Sequence, residues 1–387
     1  MITSDIGPEE LVSYLKRSGW RRTRRGEIAE MWQAGSDDNS MVLVPRHAEA
    51  PDFKQTIEIL AKEISRLERR PPEDVRIDIA RQFLDVTDLR AEGDDIDEGT
   101  ISLQDGLGLF QSAKDLMVSA AAATIHRQAY YGTSIPKAAH AHARRLRLGQ
   151  TRSGSYVLPV ISSARFGATP TYDDGVPHLQ VESEDSYFDR RVLATLSRSL
   201  ETLAEMTMRR DVTPSRDELI DSIGEGVSSE LCAAVLDVIK KGAVSHFDVS
   251  FNWAPASPMP ENLETRISFA KEYARIVEDV GKELKESEAP SESVLYGVIR
   301  RMSLKANEES GRVTLETVIE GRRRSVSFDL DLATYRLAAI YHGERRRVVV
   351  TGMLDAPPGR PASMRVRTFG PDRSVLSFDQ AEEIEWQ

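Results

Sequence analysis

The stretch that decides the fold starts at Arg312 and reads RVTLETVIEGRRRSVSFDLDLATYRLAAIYHGERRRVVVTGML. Apolar and polar side chains alternate over Arg312–Ile319 and Arg324–Leu330, which is typical of strands with one buried face. Leu332–Tyr341 has the spacing of a short helix, and a strand pattern returns over Arg346–Leu354. The stretch therefore predicts two strands, a helix and a further strand.

One strand on each side completes this pattern. Val294–Leu304 precedes it and Met364–Phe369 follows it, and Glu320-Gly321 forms the turn between the second and third strands. Three strands, a helix and two strands are the order of an OB-type Greek-key barrel. We therefore expect residues 291–387 to form an OB-like barrel.

The first part of the chain predicts a small αβββα domain over residues 1–72. Glu9–Ser18 is an amphipathic helix ended by a glycine, and Trp20–Val44 has strand character with a turn at Ser36–Asn39. Apolar residues then repeat at spacings of four and three from Phe53 to Leu67, as in a helix that packs on a sheet.

Two short motifs give this segment a family resemblance. Gly19-Trp20 follows the first helix and precedes a basic strand, and Val44-Pro45-Arg46-His47 closes the sheet. The segment, less than a fifth of the chain, resembles the HicA-type toxins, whose fold is similar to a double-stranded-RNA-binding domain. The family's catalytic histidine follows a glycine, where this chain has Gly26-Glu27. The resemblance implies the fold and a surface facing RNA or DNA, and no ribonuclease role is carried over to His47.

Residues 73–290 predict an α+β central region, in one or two subdomains. The Ala-rich segment Leu107–Ile125 indicates a buried helix, and VRIDIARQFLDV, residues 75–86, has a strand pattern. Ser215 and Glu218 have capping-box spacing at the start of another helix. The chain as a whole is therefore a multi-domain α+β protein with three predicted domains.

Composition limits the function classes. The 387 residues include 51 Lys and Arg against 62 Asp and Glu, a net charge of -11 that opposes indiscriminate binding to nucleic acid. No apolar run approaches the ~20 residues of a membrane span, and the acidic N-terminus is unlike a signal peptide. The single cysteine, Cys232, excludes an internal disulfide. We expect a cytoplasmic protein without membrane contact.

Clustered arginines are the main candidate for a binding surface despite the acidic total. The predicted nucleic-acid-binding residues are Lys16, Arg17, Arg21, Arg22, Arg24 and Arg25 in the N-terminal domain and Arg322, Arg323 and Arg324 in the barrel. Guanidinium groups bind phosphates, and distant carboxylates are screened at physiological salt. The alternative is a solvated basic face whose arginines only balance the charge of nearby glutamates.

A polar segment after a basic helix is the candidate small-ligand site. It comprises Arg147, Gln150, Thr151, Ser153 and Ser155 within RLGQTRSGS. Small hydroxyls and an amide next to an arginine can hold a polar ligand, but glycine and serine are equally typical of a structural turn.

Signals for catalysis are sparse, and we predict no catalytic residue, metal or cofactor. His140 and His142 are expected to be a surface pair rather than a metal site. Asp94–Glu98 is an acidic loop without EF-hand spacing. Ser134–Lys137 fits Ser-x-x-Lys by letter only, and Gly224–Gly226 is a weak phosphate-loop candidate.

These observations favour a non-catalytic, nucleic-acid-associated subunit of a bacterial multi-protein system, such as phage defence or toxin–antitoxin, with other protein subunits as partners. A protein-binding adaptor that never contacts nucleic acid is the alternative. A degenerate or cryptic nuclease is the second alternative.

Overall fold

The structure is a computed structural model, and it shows an α+β protein. It describes residues 6–35, 40–49, 52–94, 96, 100–150, 156–164, 170–173, 176–179, 184–208, 214–240, 244–257, 259–287, 289, 291–304, 309–319, 322–356 and 361–374. The predicted turns at Ser36–Asn39 and Glu320-Gly321 lie outside these residues, as do Asp95, Asp97 and Glu98 of the acidic loop.

The helices are α1 (Pro8–Arg17), α2 (Phe53–Glu68), α3 (Pro72–Ala80), α4 (Leu103–Ile125), α5 (Lys137–Arg145), α6 (Glu184–Met208), α7 (Arg216–Glu225), α8 (Ser229–Ile239), α9 (Ala274–Glu286) and α10 (Leu332–Gly343). The strands are β1 (Arg21–Arg25), β2 (Ala29–Gln33), β3 (Met41–Pro45), β4 (Leu84–Glu92), β5 (His126–Arg127), β6 (Arg147–Leu148), β7 (Tyr156–Ser163), β8 (Pro170–Asp173), β9 (Val176–Leu179), β10 (His246–Asn252), β11 (Arg266–Ala270), β12 (Glu292–Ser303), β13 (Ser310–Ile319), β14 (Arg322–Asp331), β15 (Arg347–Asp355) and β16 (Ala362–Pro371). None of the described helices is long and apolar enough to cross a membrane.

The N-terminal unit is an antiparallel sheet, β1-β2-β3, packed on helices. Trp32 and Val44 face the core, where they meet the apolar side of α2. The third helix, α3, adds Val75 and Ile79 to the same core. The strand prediction for VRIDIARQFLDV is therefore wrong for residues 75–80, because Val75 and Ile79, four residues apart, lie on the buried side of a helix.

The central unit has a five-stranded antiparallel sheet, in the order β11-β10-β4-β7-β6. One face of this sheet is covered by α4, α6, α8 and α9, and α4 confirms the predicted buried helix. Helix α7 begins as predicted, with Ser215 and Glu218 in a reciprocal capping box. The apolar residues at this sheet–helix contact form the largest core of the described chain.

A buried ion pair crosses the same contact. Asp85 of β4 accepts from Arg190 of α6 and from the backbone N–H of Ala254, at 2.7 Å. The Arg190 guanidinium also lies 4.7 Å from the ring centroid of Trp253. Burial raises the pKa of Asp85 to about 6, although Arg190 acts to lower it. The pair thus ties the helical layer to the sheet at the expense of desolvation.

The C-terminal strands form a closed five-stranded barrel. Its pairs run β12–β13, β13–β14, β14–β16, β16–β15 and β15–β12, and β14 and β16 are parallel. Its interior contains the fully buried side chains of Val313, Val326 and Val348. In chain order, α10 connects the third barrel strand to the fourth. The prediction of a β-barrel in this part of the chain is confirmed.

Gly297 marks the point where the barrel closes. It pairs with Thr317 of β13 on one side and with Val348 of β15 on the other, so β12 belongs to two strand pairs at once. A Cβ at this position would overlap the carbonyl oxygen of Glu316. Only glycine allows the two backbones this close approach.

The barrel is joined to the central unit by a shared sheet. Strand β5, which follows α4, pairs with the start of β12 so that Arg127 lies opposite Glu292. Arg191 of α6 forms a buried ion pair with Asp372, at 2.8 Å, just after β16. The barrel therefore sits against α6, and this contact positions the site described below.

We expect Gly297→Ala to lower the free energy of unfolding by about 1–3 kcal/mol, because the added methyl group forces the barrel strands apart. Urea unfolding followed by circular dichroism measures the change. Gly343→Ala is the matched control, since a Cβ at 343 meets nothing within 4 Å. Its expected effect is within about 0.5 kcal/mol, and equal effects of the two substitutions would contradict the close approach at Gly297.

Candidate functional site

The four predicted arginines of the basic strand all lie on β1. This is an edge strand of the three-stranded sheet, and each of its five residues is exposed. Because successive side chains of a strand point to opposite faces, the four guanidinium groups do not form one patch. The four arginines are instead divided into two pairs, one on each face of the sheet.

Register shows which pair lies on which face. Arg22 and Arg25 stand opposite Trp32 and Glu30, on the core side, and both approach the Glu30 carboxylate, at 3.2 and 3.4 Å. Glu30 is only 5% exposed, so it is a buried acid at the margin of the core that these two arginines neutralise.

Arg21 and Arg24 lie on the other face, opposite Gln33 and Met31. Neither has a hydrogen bond or an ion pair within the part of the chain that the structure describes. A β-bulge between Arg22 and Arg24 keeps this arrangement. Two exposed guanidinium groups thus remain available to an anionic partner, and we call this face of the sheet the outer face.

The two basic residues at the end of α1 have different surroundings. Lys16 is exposed. Arg17 donates a hydrogen bond to the carbonyl of Pro255 and so contacts the central unit. The structure therefore does not bring Arg17 together with the guanidinium groups of the outer face.

The barrel arginines lie at the start of β14. Arg322 and Arg323 are exposed, opposite Ile319 and Val318 of β13, and Arg324 donates to the carbonyl of Ala356 at 3.2 Å. Because Arg322 and Arg323 are neighbours on a strand, their side chains point to opposite faces of it. The barrel arginines lie on a different unit from the outer face of the N-terminal sheet.

The small-ligand candidate is described only in part. Arg147 and Gln150 are exposed, next to the edge strand β6. Thr151, Ser153 and Ser155 lie outside the residues that the structure describes.

The expectation of a surface histidine pair is wrong for His142. His140 is exposed, whereas His142 is fully buried and its Nδ1 lies 2.7 Å from the Asp189 carboxylate, which Arg145 also contacts. The two rings lie on different sides of α5, so one of them enters the core. Within the described residues no group of His, Cys, Asp and Glu could hold a metal ion. Cys232 is buried as well, and burial raises the pKa of its thiol to about 12, which leaves it a poor nucleophile.

Sequence reasoning missed a cleft of about 850 Å³ where α6 and α7 face the barrel strands β12, β15 and β16. The cleft brings together arginines and carboxylates that are far apart in the chain. The arginines are Arg127, Arg191, Arg198, Arg367 and Arg373. The carboxylates are Glu205, Glu218, Asp221, Glu225 and Asp372.

One wall of the cleft is made by the Arg191–Asp372 ion pair. Both side chains are buried, and the Arg191 guanidinium lies 4.1 Å from the ring centroid of Tyr296. Desolvation raises the pKa of the Tyr296 phenol. On the barrel side, Arg347 lies 4.2 Å from the ring centroid of Tyr187, which adds a second contact between the barrel and α6.

Arg127 lies at the inner end of the cleft. It is only 6% exposed, and its Nε and Nη1 atoms have no hydrogen-bond partner. Desolvation lowers the pKa of Arg127, although the nearby Tyr296, Tyr131 and Glu225 act to raise it. The charge remains, because an arginine starts from a pKa above ~12.

The weak phosphate-loop candidate lies in this cleft. Gly224-Glu225-Gly226 is the C-terminal end of α7, with Gly226 at a φ of 100°. The turn follows helix α7, whereas a phosphate loop follows a strand, so this candidate does not have the geometry of a phosphate loop. The sequence signal for the site itself was Arg127, an arginine directly after the buried apolar helix α4.

Comparison with known proteins adds no identity. No family model matches the chain, and no curated protein matches it.

We expect Asp372→Ala to lower the free energy of unfolding by about 3–5 kcal/mol, because it leaves the Arg191 charge buried without its carboxylate. Chemical denaturation measures the change. Arg373→Gln breaks a half-exposed pair with Glu261, 3.8 Å long, and should cost less than about 1 kcal/mol. Similar small losses for both variants would show that the position of the barrel does not depend on the buried pair.

Proposed function

We propose that this chain is a nucleic-acid-associated protein that contacts phosphates through the outer face of its N-terminal sheet. The observation that carries the proposal is the pair Arg21 and Arg24, both exposed and both without a partner among the described residues. Guanidinium groups bind phosphate oxygens by charge-assisted hydrogen bonds. An arginine that is already paired with a carboxylate binds a phosphate less strongly. Arg22 and Arg25 contribute less, because Glu30 already neutralises them.

The order of elements in two units supports the proposal. The N-terminal order helix, three strands, helix is that expected from the HicA-type resemblance. In the barrel, the first strand pairs with the second, then the third, fifth and fourth follow, and the fourth returns to the first. This order supports an OB-like assignment. Such barrels bind oligonucleotides on their second and third strands, here β13 and β14, and Arg323 is exposed at the start of β14, on the side away from the buried Val326 and Phe328. Fold alone does not determine a ligand, so the outer face carries the argument.

In this role the chain acts as a non-catalytic subunit of a bacterial multi-protein system in the cytoplasm, of the phage-defence or toxin–antitoxin kind. Two small basic surfaces on a protein of net charge -11 support local contacts with phosphates rather than coating of DNA.

Exposed apolar side chains favour a second function, that of a protein-binding adaptor. Met41 and Leu43 are 51% and 56% exposed, and they share the outer face with Arg21 and Arg24. A mixture of apolar and arginine side chains is typical of protein interfaces. The two functions use the same face, so one pair of variants separates them.

We expect the double variant Arg21→Gln/Arg24→Gln to weaken binding to RNA or DNA and to reduce the salt dependence, the slope of log K against log salt concentration, by about 1 to 2. Fluorescence anisotropy with labelled single- and double-stranded oligonucleotides over a salt series measures both quantities. Arg22→Gln/Arg25→Gln is the matched control, since it removes the same charge from the same strand.

Equal losses for the two double variants would contradict the role of the outer face, because a difference between the faces is its basis. If the unaltered protein binds no oligonucleotide and Met41→Ser/Leu43→Ser releases a protein subunit that co-purifies with it, the adaptor function is correct instead.

A further inference from the structure

The cleft between α6, α7 and the barrel holds two guanidinium groups that converge on one turn. A Cβ at position 226 would overlap Nη1 of Arg127, and a Cβ at position 224 would lie 3.0 Å from Nη2 of Arg367. Arg127 comes from the central unit and Arg367 from β16 of the barrel. Arg367 has a carboxylate partner in Glu292, so Arg127 is the charge of these two that lacks a paired acid.

Most of the cleft arginines already have an acidic partner. The partners are Asp372 for Arg191, Glu225 for Arg198 at 3.7 Å, Glu292 for Arg367 at 2.6 Å and Glu261 for Arg373. Arg127 differs, because no carboxylate of the described residues lies within ion-pair distance of it and two of its nitrogens lack an acceptor, although Glu225 acts on it at longer range. A buried charge with unsatisfied donors is costly unless a ligand supplies the acceptors.

The charges nearer to solvent limit what this ligand can be. Glu205, Asp221 and Glu225 are exposed carboxylates on the α6–α7 side of the cleft. They would repel a nucleic-acid strand, whose phosphates continue beyond the binding site. They suit instead a molecule with one anionic end and a body of hydroxyl or amino groups, which donate hydrogen bonds to carboxylates. The volume of about 850 Å³ is in the range of small-molecule sites.

We propose that this cleft binds a small phosphate ester, such as a sugar phosphate or a mononucleotide. Its phosphate accepts hydrogen bonds from Arg127 and from the Nη atoms of Arg367, and its hydroxyl or amino groups donate to Glu205 or Asp221. The site is separate from the outer face of the N-terminal sheet and does not depend on the function proposed for that face. Because the two arginines belong to different units, a bound ester also links the central unit to the barrel.

The test is calorimetric titration of the full chain with ribose phosphate, adenosine monophosphate and inorganic phosphate as probes. Adenosine lacks the phosphate and serves as the ligand control. We expect at least one of the two esters to bind and adenosine not to bind. Loss of charge-assisted hydrogen bonds in Arg127→Gln should weaken binding of that ester by about ten- to hundredfold.

Arg367→Gln is a second variant, at a side chain that is 45% exposed and therefore less costly to replace than the buried Arg127. It should weaken the same ester by about tenfold. Arg301→Gln, an exposed arginine of β12 outside the cleft, is the matched control and should leave the affinity unchanged. Circular dichroism of each variant verifies the fold, and if Arg127→Gln does not fold, Arg367→Gln decides the test.

Three results would overturn the proposal. The first is that neither ester binds to the unaltered protein, and the second is that binding persists unchanged in Arg367→Gln. The third is that a short oligothymidylate binds more tightly than the mononucleotide and loses affinity in the same cleft variants, which would assign the cleft to a nucleic-acid strand. Variants of Arg21 and Arg24 should not affect ester binding, so a failure here is distinct from a failure of the proposed function.

Discussion

Three consecutive charged residues of α6, Asp189-Arg190-Arg191, join α5, the central sheet and the barrel. All three are buried, and each contacts a different neighbour. Asp189 accepts from His142 and Arg145 of α5, Arg190 pairs with Asp85 of the central sheet, and Arg191 pairs with Asp372 beyond the last barrel strand. Because successive helical side chains are rotated by about 100°, three adjacent residues can reach three partners in different directions. Buried ion pairs add little net stability over apolar contacts, but breaking one is costly, so this helix accepts one arrangement of its neighbours.

The same helix explains why a cleft exists beside the barrel. The Arg191–Asp372 pair and the β5–β12 strand pair hold the barrel at two places. Between them the barrel strands and α7 leave a space whose lining combines charged side chains with apolar ones such as Val294 and Phe369. Arg127 is buried by its strand pairing and not by a carboxylate partner, so its desolvation follows from the way the units are joined. A site of this kind depends on the correct docking of the barrel, and docking and ligand binding should therefore stabilise each other.

Sequence patterns could predict the elements that follow one period over several residues. Strands β13 and β14 alternate between buried and more exposed residues over most of their length, α4 is Ala-rich and apolar, and the capping box of α7 was visible as Ser215 and Glu218. Where periods overlap the prediction failed, as in residues 75–80, whose apolar residues fit both a strand and a helix. The cleft was not predictable from runs of charge, because Arg127, Arg191 and Arg367 are separated by long stretches of chain and meet only through tertiary structure. Asp189-Arg190-Arg191 has the composition of a solvated helix turn, and His142 that of a surface histidine.

The secondary structure of a run of like charges determines which of its side chains find partners inside the folded unit. In the basic strand, the alternation of faces together with the β-bulge between Arg22 and Arg24 places Arg22 and Arg25 beside Glu30 and leaves Arg21 and Arg24 on the outer face, so half of the run is used inside the unit. The net charge of -11 is therefore a poor guide to either surface. An arginine can bind a phosphate when no carboxylate of the folded chain is already paired with it. Arg21 and Arg24 on β1 meet this condition as exposed side chains, and Arg127 meets it as a buried one. An exposed arginine must compete with water and salt for each phosphate, whereas a buried one has already lost its water and gains more from each acceptor. The outer face thus suits weak, salt-sensitive contact with a long polyanion, and the cleft suits selective binding of a single phosphate.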